Sequence, residues 1–153
     1  MSPGSTLLFG AIPKQLSVSR EEKRALGAFA RKLSERLAGG RGFGCLLTND
    51  AELRRLNLTF LGHDYPTDVL SFPDPNSLGE IAISVERAEA QAQEFGHARI
   101  DEIRILMLHG VLHLAGMDHE EDSGEMLRAE AYWRAEFALP ETLIARSETA
   151  AAR

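Results

Sequence analysis

The sequence of 153 residues holds a single cysteine, Cys45. One thiol cannot form an intramolecular disulfide, and a Cys-rich zinc finger or ribbon is excluded with it. Its apolar setting, GFGCLL, marks Cys45 as a small core residue. Long hydrophobic runs are missing too. The most apolar stretch, Ile103 to Met117, is interrupted by Arg104, His109 and His113, so it is unsuited to crossing a bilayer. The opening MSPGSTLLFGAIPKQL lacks the basic start and long apolar core of a secretory signal, which predicts a cytoplasmic protein with no membrane association. Repeats, low-complexity tracts and domain-separating linkers are likewise absent. The length predicts one domain, 1–153, with frayed ends near 1–5 and 141–153.

Positive charge is in deficit, 17 Lys and Arg against 23 Asp and Glu, for a net charge of −6. That balance disfavours non-specific nucleic-acid binding, but the deficit is uneven. Residues 1–48 carry eight basic and three acidic side chains, residues 49–100 carry four and nine, and residues 101–153 carry five and eleven. A basic patch is therefore expected only near the N-terminus.

After a short apolar segment at Thr6 to Phe9, Ser19 and Glu22 form a capping box that opens a helix reaching about Ala38, where Gly39-Gly40 stops it. Leu26, Phe29, Leu33 and Leu37 share one face of that helix. Arg20, Arg24 and Arg31 fall within ~40° of one another on the opposite face, a candidate phosphate contact. Phe43 to Thr48 reads as a buried strand. Asn49 or Asp50 then caps a helix with Leu53, Leu56, Leu58 and Phe60 as its apolar positions, ended by Gly62. Thr67 to Phe72 and Glu80 to Ser84 read as a strand pair around a Pro/Asn/Ser/Gly turn. Three helical segments follow, about Val85 to Phe95, Arg99 to Ala115 and Ser123 to Ala138. The order predicts an α+β fold: a small mixed sheet of about four strands packed with about five helices.

The segment HGVLHLAGMDH carries the chemistry. His109 and His113, one helical turn apart, present two imidazoles to one ion. Gly116 is suited to the left-handed conformation that ends a helix, letting the chain double back with His119 as a third ligand. The other positions of this helix are almost all apolar, so these imidazoles need partners to be tolerated, and a metal supplies them. Zinc fits: it takes neutral imidazole nitrogens, and three protein ligands leave a fourth tetrahedral position for a water whose pKa falls towards ~7. Asp118, beside the third ligand, is a candidate orienter or base. The same histidine spacing occurs in zinc peptidases whose general base is a glutamate directly after the first histidine. Here that position is Gly110, which argues against peptide hydrolysis.

HGVLHLAGMDH, together with LGEIAIS and PTDVLSFPD upstream, resembles the YbeY family of bacterial endoribonucleases. The resemblance runs from about Leu46 to Glu130. It implies a zincin-like site with one Zn2+ on His109, His113 and His119. It also implies hydrolysis of single-stranded RNA in maturation of the 3′ end of small-subunit ribosomal RNA and in ribosome quality control. The implied partners are ribosomal RNA, small-subunit ribosomal proteins and a ribosome-associated GTPase. Thr67 and Ser71 match the family's T-D-V-L-S-F strand and are expected to face one side of it, towards substrate, with Asp68 on the other. One position departs. Family members commonly carry Arg before the Gly in L-N-x-x-[YF]-R-G-x-D, and here it is Leu61. His63, or a basic side chain of the first helix, is a candidate replacement for the lost cation. Two alternatives stay open at this level: a ribosome-assembly factor whose zinc is structural, and a metallopeptidase-like hydrolase.

Overall fold

The computed structural model describes residues 4–117 and 123–140. It contains a four-stranded mixed sheet and five helices, as the element order predicts. β1 (Thr6–Phe9) leads through a 3-10 turn at Lys14–Leu16 into α1 (Arg20–Leu37); β2 (Phe43–Thr48) is followed by α2 (Asp50–Leu61). β3 (Val69–Pro73) and β4 (Gly79–Ser84) precede α3 (Val85–Phe95), α4 (Arg99–Leu114) and α5 (Glu125–Glu136). The sheet order is β1-β2-β4-β3, with β1 and β4 parallel to β2 and β3 antiparallel to β4. Among the described residues no helix is long and apolar enough to cross a membrane.

Local chemistry explains where the elements begin and end. Ser19 Oγ accepts from Glu22 N–H and the Glu22 carboxylate accepts from Ser19 N–H, each at 3.1 Å, so two otherwise orphaned donors of α1 are satisfied. Burial raises the Glu22 carboxyl, but the Ser19 N–H and the Arg99 guanidinium outweigh it and hold the group below its usual range. Its folded-state affinity for a proton is lowered, so its contribution is present at neutral pH and fades as the pH falls below about 4. Asn49 Oδ1 caps α2 at Glu52 N–H, 2.8 Å away. β3 starts at Val69, two residues later than the sequence pattern suggests, because Asp68 Oδ1 accepts from Val69 N–H at 2.8 Å and turns the chain there. Thr67 and Asp68 therefore lie before the strand, and the expected alternation of Thr67 with Ser71 does not apply.

Alternating strand residues feed two cores of unequal size. Phe43, Cys45 and Leu47 of β2 and Ile81 and Ile83 of β4 point to the face covered by α1 and α4, the main core. Leu70 and Ala82 point the other way and meet Leu53 of α2 in a small second core. Leu58 and Phe60, read as apolar positions of α2, stay 50% and 62% exposed, so α2 buries a narrower stripe than its composition suggests. Burial pushes the Cys45 thiol up to about 12, since desolvation disfavours the thiolate that reacts. Alkylating reagents at pH 8 should leave native protein unlabelled and modify it only in denaturant. Labelling of the folded chain at the rate of a free thiol would contradict that burial.

Candidate metal centre

α4 is buried on nearly all sides, packed by α1, α3, α5, β3 and β4. Its C-terminal turns lie against β3, and there the two helical histidines face an open cleft of about 280 Å³ walled by Val69, Ser71 and Pro73. His109 is 7% exposed and His113 half-buried. Their Nε2 atoms are 3.1 Å apart and their rings cross at 71°. Behind His109, the carboxylate of Glu130 from α5 accepts from His109 Nδ1 at 2.6 Å. Glu130 is 1% exposed.

This hydrogen-bond pattern has a chemical reading. A carboxylate only accepts, so Nδ1 of His109 carries the proton and its Nε2 keeps the lone pair. His113 Nε2 can donate to that lone pair when no ion is bound; with an ion, both Nε2 lone pairs are free to bind it once His113 is protonated at Nδ1 instead. Two nitrogens on one tetrahedral ion at ~2.05 Å lie about 3.3 Å apart. The observed 3.1 Å fits that separation within a few tenths of an ångström, so the pair suits a zinc-sized ion. Among the described residues no group of three or more His, Cys, Asp or Glu side chains is placed to hold a metal. His119 and Asp118, the expected third ligand and its neighbour, lie outside the described residues.

The end of α4 has the form the histidine spacing requires. Gly116 adopts φ +100°, its N–H donates to His113 O, and Met117 N–H donates to Leu112 O, both at 3.0 Å. This pair of bonds is the Schellman arrangement, which closes a helix and reverses the chain. Gly110 has an equally concrete cause. A Cβ at this position would lie 2.9 Å from Ile81 Cδ1 and 3.1 Å from its Cγ1 and Cγ2, so a side chain there requires Ile81 to shift. Ser71 Oγ donates to Gly110 O at 3.3 Å, tying the edge strand to the helix at the same point.

Other expected contact residues are dispersed. Only Ser71 lines the cleft. Thr67 and His63 lie on the connection from α2 to β3, where His63 Nδ1 is 2.5 Å from the Tyr65 hydroxyl. Arg20, Arg24 and Arg31 are exposed on α1, which packs on β1, at the sheet edge opposite β3. Leu61 is 52% exposed and borders a groove of about 570 Å³ with Leu46, Phe60 and Phe72, on the face of β3 turned away from the histidines. Arg54, the nearest basic residue on the same helix face, is paired with Asp64 at 2.7 Å.

Sequence reasoning missed Glu130. A signal existed: Met126, Glu130, Trp133 and Phe137 form one helical stripe, and a carboxylate inside such a stripe asks for a buried partner.

Residues 14–137 match the family model described as Endoribonuclease YbeY. A protein named Endoribonuclease YbeY from Solibacter usitatus is 51% identical over 147 residues, covering 95% of this chain and 97% of its own length. Another of that name, from Koribacter versatilis, is 45% identical over 135 residues, 82% and 89% of the two chains. The solution structure of TM1509 from Thermotoga maritima superposes with a TM-score of 0.60 at 27% identity, covering 87% of this chain and 91% of that one. With most of its length matched in each case, the chain belongs to the Endoribonuclease YbeY family.

Proposed function

We propose that this chain, acting as one domain, is a cytoplasmic metal-dependent endoribonuclease. Its substrate is single-stranded RNA, and its role is maturation of the 3′ end of small-subunit ribosomal RNA and ribosome quality control. One Zn2+ on His109, His113 and His119 is the proposed cofactor. The observation that carries this reading is the imidazole pair, 3.1 Å between nitrogens, opening on a cleft beside the edge strand in a chain of this family. The bound ion supplies a Lewis acid that polarises phosphate oxygen or water. His109 and His113 hold two of its positions. Ser71 lines the cleft and ties its wall to α4 through Gly110 O. No carboxylate follows the first histidine, so proton acceptance falls to Asp118 in this proposal. Thr67 and His63 approach RNA from the loop before β3, while Arg20, Arg24 and Arg31 would contact a more distant stretch of its backbone. Small-subunit ribosomal proteins and a ribosome-associated GTPase are the proposed partners.

Leu61 favours a second reading, an assembly factor in which zinc fixes structure, since a leucine donates nothing to a phosphate. Cleavage of a ribosomal RNA fragment by parent protein and by His113→Ala, purified side by side, separates the two. The expected result is loss of both zinc, by elemental analysis, and cleavage in the variant. Equal cleavage in both preparations would reject the nuclease assignment, and undiminished zinc in the variant would reject the metal site.

A further inference from the structure

We infer that Glu130 is a positioning residue of the metal centre: from α5 it fixes the tautomer and ring orientation of His109, so that Nε2 is presented to the ion before the ion arrives. The inference rests on the proposed metal centre and extends it to an element of the fold that supplies no ligand.

The argument starts from cost. Glu130 occupies the inward stripe of α5, between Met126, fully buried, and the half-buried Trp133, and it is itself 1% exposed. An ionised carboxylate in such a place is unfavourable unless it is paired, and an apolar residue of similar volume would pack α5 at least as well. Packing therefore gives no reason for a glutamate at this position. Among the described residues one contact is specific: Oε1 lies 2.6 Å from Nδ1 of His109, while Nε2 of that ring faces His113. That contact dictates which nitrogen of His109 is left with a lone pair, and the remaining nitrogen is the one 3.1 Å from His113. A carboxylate on the remote nitrogen also places a negative charge behind the cation. The two histidines are thereby unequal. His109, buried and held from behind, is the fixed member of the pair; His113, half-buried at the cleft, is the one that adjusts when the ion binds.

Chelator competition on the full-length, metal-stripped protein tests this, with zinc alone as the probe. Glu130→Ala should weaken zinc affinity by about 10- to 100-fold, the usual consequence of losing a carboxylate behind a metal-bound histidine. Glu130→Gln keeps the shape and an acceptor but removes the charge, and should lose about tenfold. A role confined to packing would lower the unfolding midpoint of the metal-free variants and leave zinc affinity at the parental value. Should Glu130→Ala fail to fold, Glu130→Leu, which keeps the volume and removes the acceptor, decides in its place, and parental affinity in that variant overturns the inference. His113→Ala separates the levels. If it too retains zinc, the metal centre is wrong; if it loses zinc while both Glu130 variants bind like the parent, only the role of Glu130 is wrong.

Discussion

Glutamate introduced at position 110 is expected to destabilise the fold by about 3 kcal/mol or more and to confer no peptidase activity. The substitution would reproduce the histidine-glutamate order of zinc peptidases, so on sequence grounds it looks like a gain of function. The structure says otherwise. Position 110 is on the side of α4 pressed against β4, where even a methyl group would meet the Ile81 side chain at 2.9–3.1 Å. A longer side chain must push the helix off the sheet, and its carboxylate would enter an apolar core with no partner. Gly110→Ala isolates the steric part. Its gain in helix propensity, about 1 kcal/mol, works against an overpacking cost of ~1–3 kcal/mol. Urea denaturation of Gly110→Ala, Ile81→Ala and the double variant should show favourable coupling, because the truncated residue makes room for the added methyl. Strict additivity would mean that α4 and β4 are less tightly apposed than the Cβ geometry requires. A Gly110→Glu protein of parental stability would dismiss the steric account altogether.

The second large effect lies at the other end of α4. Glu102 is fully buried and its Oε1 is 2.7 Å from Nε2 of His97, in the connection between α3 and α4. The Phe95 ring lies nearly parallel to that of His97, with centroids 6.5 Å apart. Removing the carboxylate alone leaves a polar ring facing a cavity, and Glu102→Ala should cost about 3–5 kcal/mol. Replacing both partners by leucine removes two desolvation penalties together, so much of that loss should return. Denaturation midpoints at neutral pH read both outcomes. A Glu102→Ala variant within 1 kcal/mol of the parent would show that the pair contributes little, and no recovery in the double variant would point to shape rather than charge.

The residues that reported themselves in the sequence are those whose chemistry acts locally. Ser19 with Glu22, Asn49, Gly62 and Gly116 each set the backbone within one turn of themselves, and the helices begin or end where these residues stand. His109 and His113 were legible because one turn of helix brings them together. Glu130 and Glu102 were not. Glu130 depends on a partner in another element, 21 residues away, and Glu102 on a ring in the turn before its own helix, and from periodicity alone a glutamate in a helix reads as solvent-facing. The strand assigned to 67–72 began late because one Asp68 hydrogen bond overrode the β-rich pattern. Phe60, an apolar position of α2, stays exposed at the rim of the groove, its ring 5.3 Å from Phe72, because spacing along a helix does not show how far the facing sheet extends.

The mixed topology of the sheet also sets an order of events in folding. Both parallel pairings join distant segments: Thr6 meets Gly44 and Phe43 meets Gly79, 44 − 6 = 38 and 79 − 43 = 36 residues apart. Closing a loop of that length costs about 3 kcal/mol in chain entropy before the pairing repays it. The antiparallel pair needs only the short turn between Pro73 and Gly79. Contacts that form cheaply are thus concentrated in the β3–β4 hairpin and the helices that follow it, which together hold the cleft, while β1 and α1 are joined through long closures. The part of the molecule with the histidines is the part that loop-closure entropy lets assemble first, and the N-terminal third completes the sheet around it.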